Sequence, residues 1–229
     1  NVPNGDNINL NCGALEPDNL LEATKEVNAD YGISFDGDGD RIIFCSKDYG
    51  TLETEKVIFL FSKHLSKHTK VPSVVSTIIS NLALNENLNQ IGIKLLETDL
   101  GDRLVVDKTL SSSSLLGAET SGHFYFPNES NTMDGMLAFI NFIKIVDRSD
   151  FDPKDYFSRI KHYKRETANV STNKKYNILS LRNHLDDFSN FNEKIVVRES
   201  MWDPVIRIYY DYKENNRFKE VMKILNEHV

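Results

Sequence analysis

Residues 34–41 read Ser34-Phe35-Asp36-Gly37-Asp38-Gly39-Asp40-Arg41, three aspartates on alternate positions with glycines between them and an arginine closing the run. In an extended segment alternate side chains point to one side, so the three carboxylates can reach a common point. Like charges that close repel unless a cation sits between them or their pKa values rise. An all-oxygen donor set selects a hard ion, and Mg²⁺ fits because it takes about six ligands and completes its shell with water and phosphate oxygens. Gly37 and Gly39 permit backbone angles that a side chain would forbid. A solvated acidic turn has a similar composition, but Ile33 and Phe35 on one side and Ile42-Ile43-Phe44 on the other look like buried strands. A calcium EF-hand loop wants Gly at its sixth and Glu at its twelfth position. Arg41 and Lys47 stand there instead, and no helix pattern flanks the loop.

The elements that must position this loop follow from periodicity. Residues 17–27 predict a short amphipathic helix with Pro17 in its first turn. A second helix is expected over 52–65, a buried strand over 71–79, a helix over 81–91 stopped by Gly92, a strand over 94–98 and a helix opening at Gly101-Asp102-Arg103. Ser111–Ser114 reads as a polar linker, residues 134–147 as a strongly apolar helix, and 150–154, with Pro153, as a domain boundary. This alternation argues for an α/β arrangement with a mainly parallel sheet. The remainder reads as α+β, with strands near 166–172, 194–198 and 204–212 and helices near 177–187 and 215–228.

The 229 residues are 40% hydrophobic, enough for two or three compact units. With 27 basic against 34 acidic residues the net charge is -7, which argues against general nucleic-acid binding and leaves anion capture to local arginines. Cys12 and Cys45 show no metal spacing and fit a reducing, cytoplasmic setting, although a single disulfide stays open. No span approaches the ~20 apolar residues of a membrane helix, so a soluble protein is expected. The chain begins at Asn1, in what reads as the middle of a loop, and a piece of a longer chain is expected.

Several separated stretches resemble one family when taken in order: Asn4-Gly5-Asp6-Asn7-Ile8-Asn9, Gly32 to Arg41, Ser76 to Leu82, Thr98 to Arg103, Gly117 to His123, and Thr132-Met133-Asp134-Gly135. Their order and spacing resemble the α-D-phosphohexomutases. The Gly-Asp-Arg loop and the Asn-Ile-Asn segment point to the phosphoglucosamine branch. The resemblance implies phosphohexomutase-type mixed-sheet α/β domains followed by a smaller α+β domain. Residues 1–48 would end the family's second domain, 49–150 would be the third, and 151–229 the fourth. The first domain, which carries the family's phosphoserine, would be a missing partner from the same protein.

By the same resemblance, the reaction is interconversion of glucosamine 6-phosphate and glucosamine 1-phosphate through a bisphosphate, for cell-wall precursor synthesis. Mannose or glucose phosphate chemistry and a non-catalytic phosphosugar-binding module are the alternatives. Asp36, Asp38 and Asp40 would hold Mg²⁺, and Arg41 would stabilise the transferring phosphoryl group or simply pair with an aspartate. Asp102 and Arg103, at a helix start, suit proton handling and anion binding, with capping as the plainer role of Asp102. Glu119 and Ser121 would meet sugar hydroxyls, and His123 either orients their loop or packs as a structural residue. The family's distal-phosphate loop, Arg-x-Ser-Gly-Thr-Glu-Pro, matches Arg198, Ser200 and Pro204, with Arg207 following. Gly-Thr-Glu is replaced by Met201-Trp202-Asp203, which removes the glycine and hydroxyl suited to an anion. The isolated chain is expected to bind metal and sugar phosphate without turnover.

Overall fold

The computed structural model describes residues 4–7, 10–14, 16–147, 150–172, 177–200 and 204–228. Ile8, Asn9 and Met201–Asp203, which carry part of the sequence argument, lie outside them. By internal contacts the chain divides into two units, 1–80 with 84–161 and 81–83 with 162–229.

In the first unit, helix α1 (Asp18–Glu26) precedes the hairpin β1 (Tyr31–Phe35) and β2 (Ile42–Ser46), which pair antiparallel with Phe35 opposite Ile42. The acidic run is therefore the hairpin loop, its ends pinned by the ladder. The short strand β3 (Gly50–Thr51) completes an antiparallel three-stranded sheet. Gly32 is the close-packing point: a Cβ there would stand 2.0 Å from Thr24 Oγ1 on α1.

Helix α2 (Thr54–Leu65), strand β4 (Ser73–Thr77), helix α3 (Leu82–Gln90), strand β5 (Lys94–Thr98) and helix α4 (Asp102–Ser111) follow the expected alternation. Gly92 closes the α3 turn at φ +73, the left-handed stop that glycine adopts without strain. The expected Ser-rich linker is a bonded turn. Ser114, 3% exposed, shares hydrogen bonds with Ser73 at 2.8 Å and Ser112 at 2.7 Å.

Two-residue strands β6 (Gly117–Ala118) and β7 (Phe124–Tyr125) complete a sheet ordered β5-β4-β6-β7. This sheet is mainly parallel, as expected: β4 pairs parallel with β5 and with β6, and only β7 turns back antiparallel, while β1–β3 form a separate antiparallel sheet that the alternation does not predict. The turn at 119–123 is too short for a crossover, so the chain can only reverse there.

Helix α5 (Gly135–Val146) starts where the Asp134 carboxylate accepts from Leu137 N at 2.9 Å. Its Phe142 stacks on Phe44 of β2 with ring centres 4.4 Å apart. Helix α6 (Pro153–Ser158) is capped by Asp152, and Lys56 of α2, 5% exposed, donates to Phe157 O at 3.1 Å. One apolar core runs through β2, α2, β4, α3, α5 and α6.

In the second unit, strand β8 (Lys164–Ser171), helix α7 (Ile178–Phe188), strand β9 (Glu193–Glu199), strand β10 (Val205–Tyr212) and helix α8 (Phe218–His228) form an antiparallel sheet, ordered β8-β10-β9, with its own core. Asn177 caps α7 through Leu179 N and Ser180 N. Buried Asp211 binds Arg165 at 2.6 Å and 2.9 Å and accepts from Leu82 N at 2.8 Å. Both carboxylate oxygens are thereby satisfied, as burial of a charge requires.

Candidate active site

The hairpin loop turns back on its own first carboxylate. Asp36 Oδ1 accepts from Gly39 N at 3.1 Å and Arg41 N at 3.2 Å, and its Oδ2 lies 3.5 Å from Arg41 Nε. Gly39 takes φ +81 to permit this curl. The result gathers ligand oxygens of Asp36, Asp38 and Asp40 within 4.8 Å of one another.

The three carboxylates are not equivalent. Burial works to raise the Asp36 pKa, but the two backbone N–H groups and the Arg41 charge outweigh it and hold the carboxyl below its ordinary range. Asp40 is pushed the other way. Burial and the neighbouring Asp36 and Asp38 raise it against the pull of His123 and Arg41. Asp40 Oδ1 is buried and has no hydrogen-bond partner among the described residues. An orphaned carboxylate oxygen inside a set of three all-oxygen donors fits a hard divalent cation, whose charge would relieve the crowding.

A second loop meets the first across a backbone bridge. Arg41 pairs antiparallel with His123, and Ile42 N donates to Gly122 O at 3.0 Å. Gly122 is required there: φ is +97, and a Cβ would stand 2.5 Å from Ile42 O. The bridge sets the His123 ring between the two loops. Nε2 lies 3.2 Å from Arg41 Nε and 3.3 Å from Asp40 Oδ2, so it accepts from Arg41 when neutral and donates to Asp40 when charged. Nδ1 stands 2.9 Å from Glu119 Oε2 and 3.0 Å from Ser121 Oγ. Burial opposes charging of His123, but the Glu119 hydrogen bond and the Asp40 and Glu119 charges prevail and raise its pKa. Glu119 moves in the matching direction. Its burial is outweighed by the His123 hydrogen bond and by Gly101 N, which donates to Oε1 at 2.9 Å, and its carboxyl is lowered.

Arg41, Glu119, Ser121, His123 and the three aspartates thus form one contiguous network. Gly101 ties the Gly-Asp-Arg turn to it at Glu119. Asp102 and Arg103 themselves face outward: Asp102 Oδ1 accepts from Arg103 N at 2.7 Å, and Arg103, 90% exposed, lies 3.8 Å from Asp107. Arg198, Ser200 and Arg207 are in the second unit. Arg207 stands directly opposite Arg198 in the β9–β10 register, two like charges on one face of the sheet. Neither forms a salt bridge among the described residues. Ser200 N donates to Val205 O at 2.8 Å.

Sequence reasoning did not single out Gly135 as a site element. Its N–H donates to Gly39 O at 3.0 Å, and a Cβ at 135 would come within 2.7 Å of that oxygen and 3.0 Å of the Phe35 ring. The Asp134-Gly135 pair belongs to a motif in the sequence, but its contact, Gly39, lies almost a hundred residues away. Phe35, Met133 and Met136 line a cavity of about 500 Å³ with the acidic loop.

Residues 53–163 match the phosphoglucomutase/phosphomannomutase alpha/beta/alpha domain III family. Phosphoglucosamine mutase of Limosilactobacillus fermentum is 34% identical over 90% of this chain and 47% of its own length. That of Thermodesulfovibrio yellowstonii is 30% identical over 96% of this chain and 51% of its own. The chain spans about half the length of the curated relatives it matches. Among solved structures, a phosphoglucomutase/phosphomannomutase family protein from Burkholderia thailandensis aligns with TM-score 0.77 at 19% identity, over 93% of this chain and 50% of that one. Aspergillus fumigatus N-acetylphosphoglucosamine mutase, in complex with GlcNAc-6P and magnesium, aligns with TM-score 0.69 at 16% identity, over 98% of this chain and 53% of that one. Residues 53–163 thus carry the phosphoglucomutase/phosphomannomutase domain III, and the chain as a whole is similar to phosphoglucosamine mutases over about half their length.

Proposed function

We propose that this chain supplies the metal-holding and sugar-recognising portion of a phosphoglucosamine mutase, which interconverts glucosamine 6-phosphate and glucosamine 1-phosphate by way of a bisphosphate. The observation that carries this reading is the junction of two loops: three converging carboxylates joined through Arg41 and His123 to Glu119 and Ser121. The relatives named phosphoglucosamine mutase, at 30–34% identity, support this choice of sugar.

Asp36, Asp38 and Asp40 would hold Mg²⁺, and the ion when bound would offset negative charge on a transferring phosphoryl group. Arg41, about one-third exposed, would place its guanidinium against the same group while His123 and Asp36 fix its orientation. Glu119 accepts and Ser121 donates or accepts, a pairing suited to adjacent hydroxyl or amino groups on a hexosamine ring. His123 and Gly101 N hold Glu119 ionised in that position. The opposed pair Arg198 and Arg207 would grip the phosphate not being transferred, because an anion relieves their repulsion. Asp102 would move a proton at the sugar hydroxyl, with Arg103 drawing in the anionic substrate. The seryl phosphate would come from the family's first domain. On this reading the chain alone binds ligands without sustained turnover, in the reducing cytoplasm.

Calorimetric titration of the chain tests both halves. Mn²⁺ or Mg²⁺ should bind, and Asp38→Asn should weaken binding by roughly tenfold or more, since affinity follows ligand charge. Glucosamine 6-phosphate should bind more tightly than glucose 6-phosphate or mannose 6-phosphate. Tighter binding of either of the latter would overturn the choice of sugar, and absence of any divalent-ion binding would overturn the metal assignment.

A further inference from the structure

The first unit carries a second recess whose chemistry is opposite to that of the acidic loop. Lys63 at the end of α2, Lys67 in the following 3₁₀ turn and Lys144 near the end of α5 stand around an apolar floor that includes Ile145, Phe151 and Tyr156, in a cavity of about 230 Å³. An adjoining cavity of about 170 Å³ shares Lys144 and Ile145. Together they fall at the lower end of the range for small-ligand sites, roughly 300–1,000 Å³. None of these residues lines the cavity beside the acidic loop.

The cations are gathered at a cost. Lys63 and Lys67 are four residues apart, a spacing at which like charges repel on a helical turn. Neither meets a carboxylate among the described residues, and Lys144 has only Glu129 at 3.9 Å and Asn141 Oδ1 at 3.1 Å. A helix C-terminus accounts for one nearby cation, but not for a third arriving from a different helix. On a chain of net charge -7, whose overall field repels anions, such a cluster is what local anion capture requires.

Tyr156 adds an independent observation. Its ring is packed at 5.0 Å on Phe151 and lies beneath the Lys63 ammonium at 5.4 Å. Its hydroxyl makes no hydrogen bond among the described residues, and burial pushes its pKa up to about 12, so it remains a donor. The phenol O–H therefore adds a donor to a recess that the three ammonium groups also line, and the recess offers donors without a matching carboxylate close by.

We propose that this recess binds a small anion with a flat apolar body, of which an aromatic phosphate monoester is the simplest example. The phosphate oxygens take N–H from Lys63, Lys67 and Lys144 and O–H from Tyr156. The flat body covers Phe151 and Ile145. This site is independent of the mutase reading, and nothing in its residues depends on the metal loop.

Phenyl phosphate, inorganic phosphate and phenol serve as probes, titrated calorimetrically into the full chain. Phenyl phosphate should bind about tenfold or more tightly than either of its parts, because charge-assisted hydrogen bonds and apolar contact act together. The double variant Lys63→Ala, Lys144→Ala should weaken it by about tenfold or more, while Lys108→Ala, on the exposed face of α4, leaves it within about twofold. Circular dichroism should show both variants folded, since all three side chains lie at the surface. Inorganic phosphate binding as tightly as phenyl phosphate, affinity unchanged in the double lysine variant, or affinity lost equally in Lys108→Ala would each overturn the assignment.

Discussion

At the scale of single residues, Glu119 is the pivot of the two-loop junction, because it is 9% exposed and receives hydrogen bonds from Gly101 N, Ser121 Oγ and His123. Its pKa is lowered on folding, so the stabilisation it contributes is complete above the unfolded carboxylate value of about 4.3 and is lost as pH falls through the lower folded value. Replacement by Gln removes that titration. Urea unfolding of Glu119→Gln between neutral pH and pH 3 should show a shallower acid-side decline than the parent chain. An unchanged slope would mean that Glu119 is not ionised in the folded protein. Tyr210 makes a comparable case in the second unit. Its buried hydroxyl donates to Glu193 Oε1 at 2.6 Å and accepts from Arg217 N at 3.0 Å. Tyr210→Phe leaves both groups short of a partner and should cost about 1–3 kcal/mol in a denaturant titration.

At the scale of elements, the strength of local signals decided what was legible in the sequence. The helices of the first unit that position the site were readable because apolar periodicity coincides with a cap or a stop: Asp134 before α5, Gly92 after α3. The acidic loop was readable because its three carboxylates are close together in sequence. The two-residue strands β6 and β7 were not, since two residues carry no period, and the antiparallel return of β7 stayed hidden with them. Nor was the role of His123 fixed by its neighbours, because it comes from Arg41 and Asp40, 82 and 83 residues earlier. The contact of α5 with the acidic loop was equally hidden. Gly135→Ala places a methyl group against Gly39 O and the Phe35 ring, so it should displace the loop and weaken Mn²⁺ binding by about tenfold or more. Gly92→Ala, where the space is open but φ is +73, imposes a backbone strain remote from the loop and serves as the control. Equal metal affinity in the two variants would detach α5 from the site.

For the whole molecule, the decisive feature is that each unit has a core of its own. Phe44, Phe61, Phe124 and Phe142 centre the first, and Leu181, Leu185, Val221 and Leu225 the second. The α+β character of the C-terminal region could be read from its pattern, but the recruitment of Asn81–Ala83 to it could not. That recruitment rests on the Asn81 side chain bonding both N–H and C=O of Tyr163, and on Leu82 N bonding Asp211. Cores that are separately complete can open separately, so one unfolding free energy does not describe such a chain. Leu225 is fully buried, and Leu225→Ala should destabilise the second unit by about 3 kcal/mol through lost contact and a residual cavity. Amide exchange then has a definite expectation. Protection should fall across β8, β9, β10, α7 and α8, while β4 and β5 keep theirs. Phe142→Ala should give the reverse pattern, with loss in β2, α2 and α5. Equal loss of protection in both units from either substitution would show that the chain unfolds as one body, and the two cores would then have to be treated as one cooperative structure.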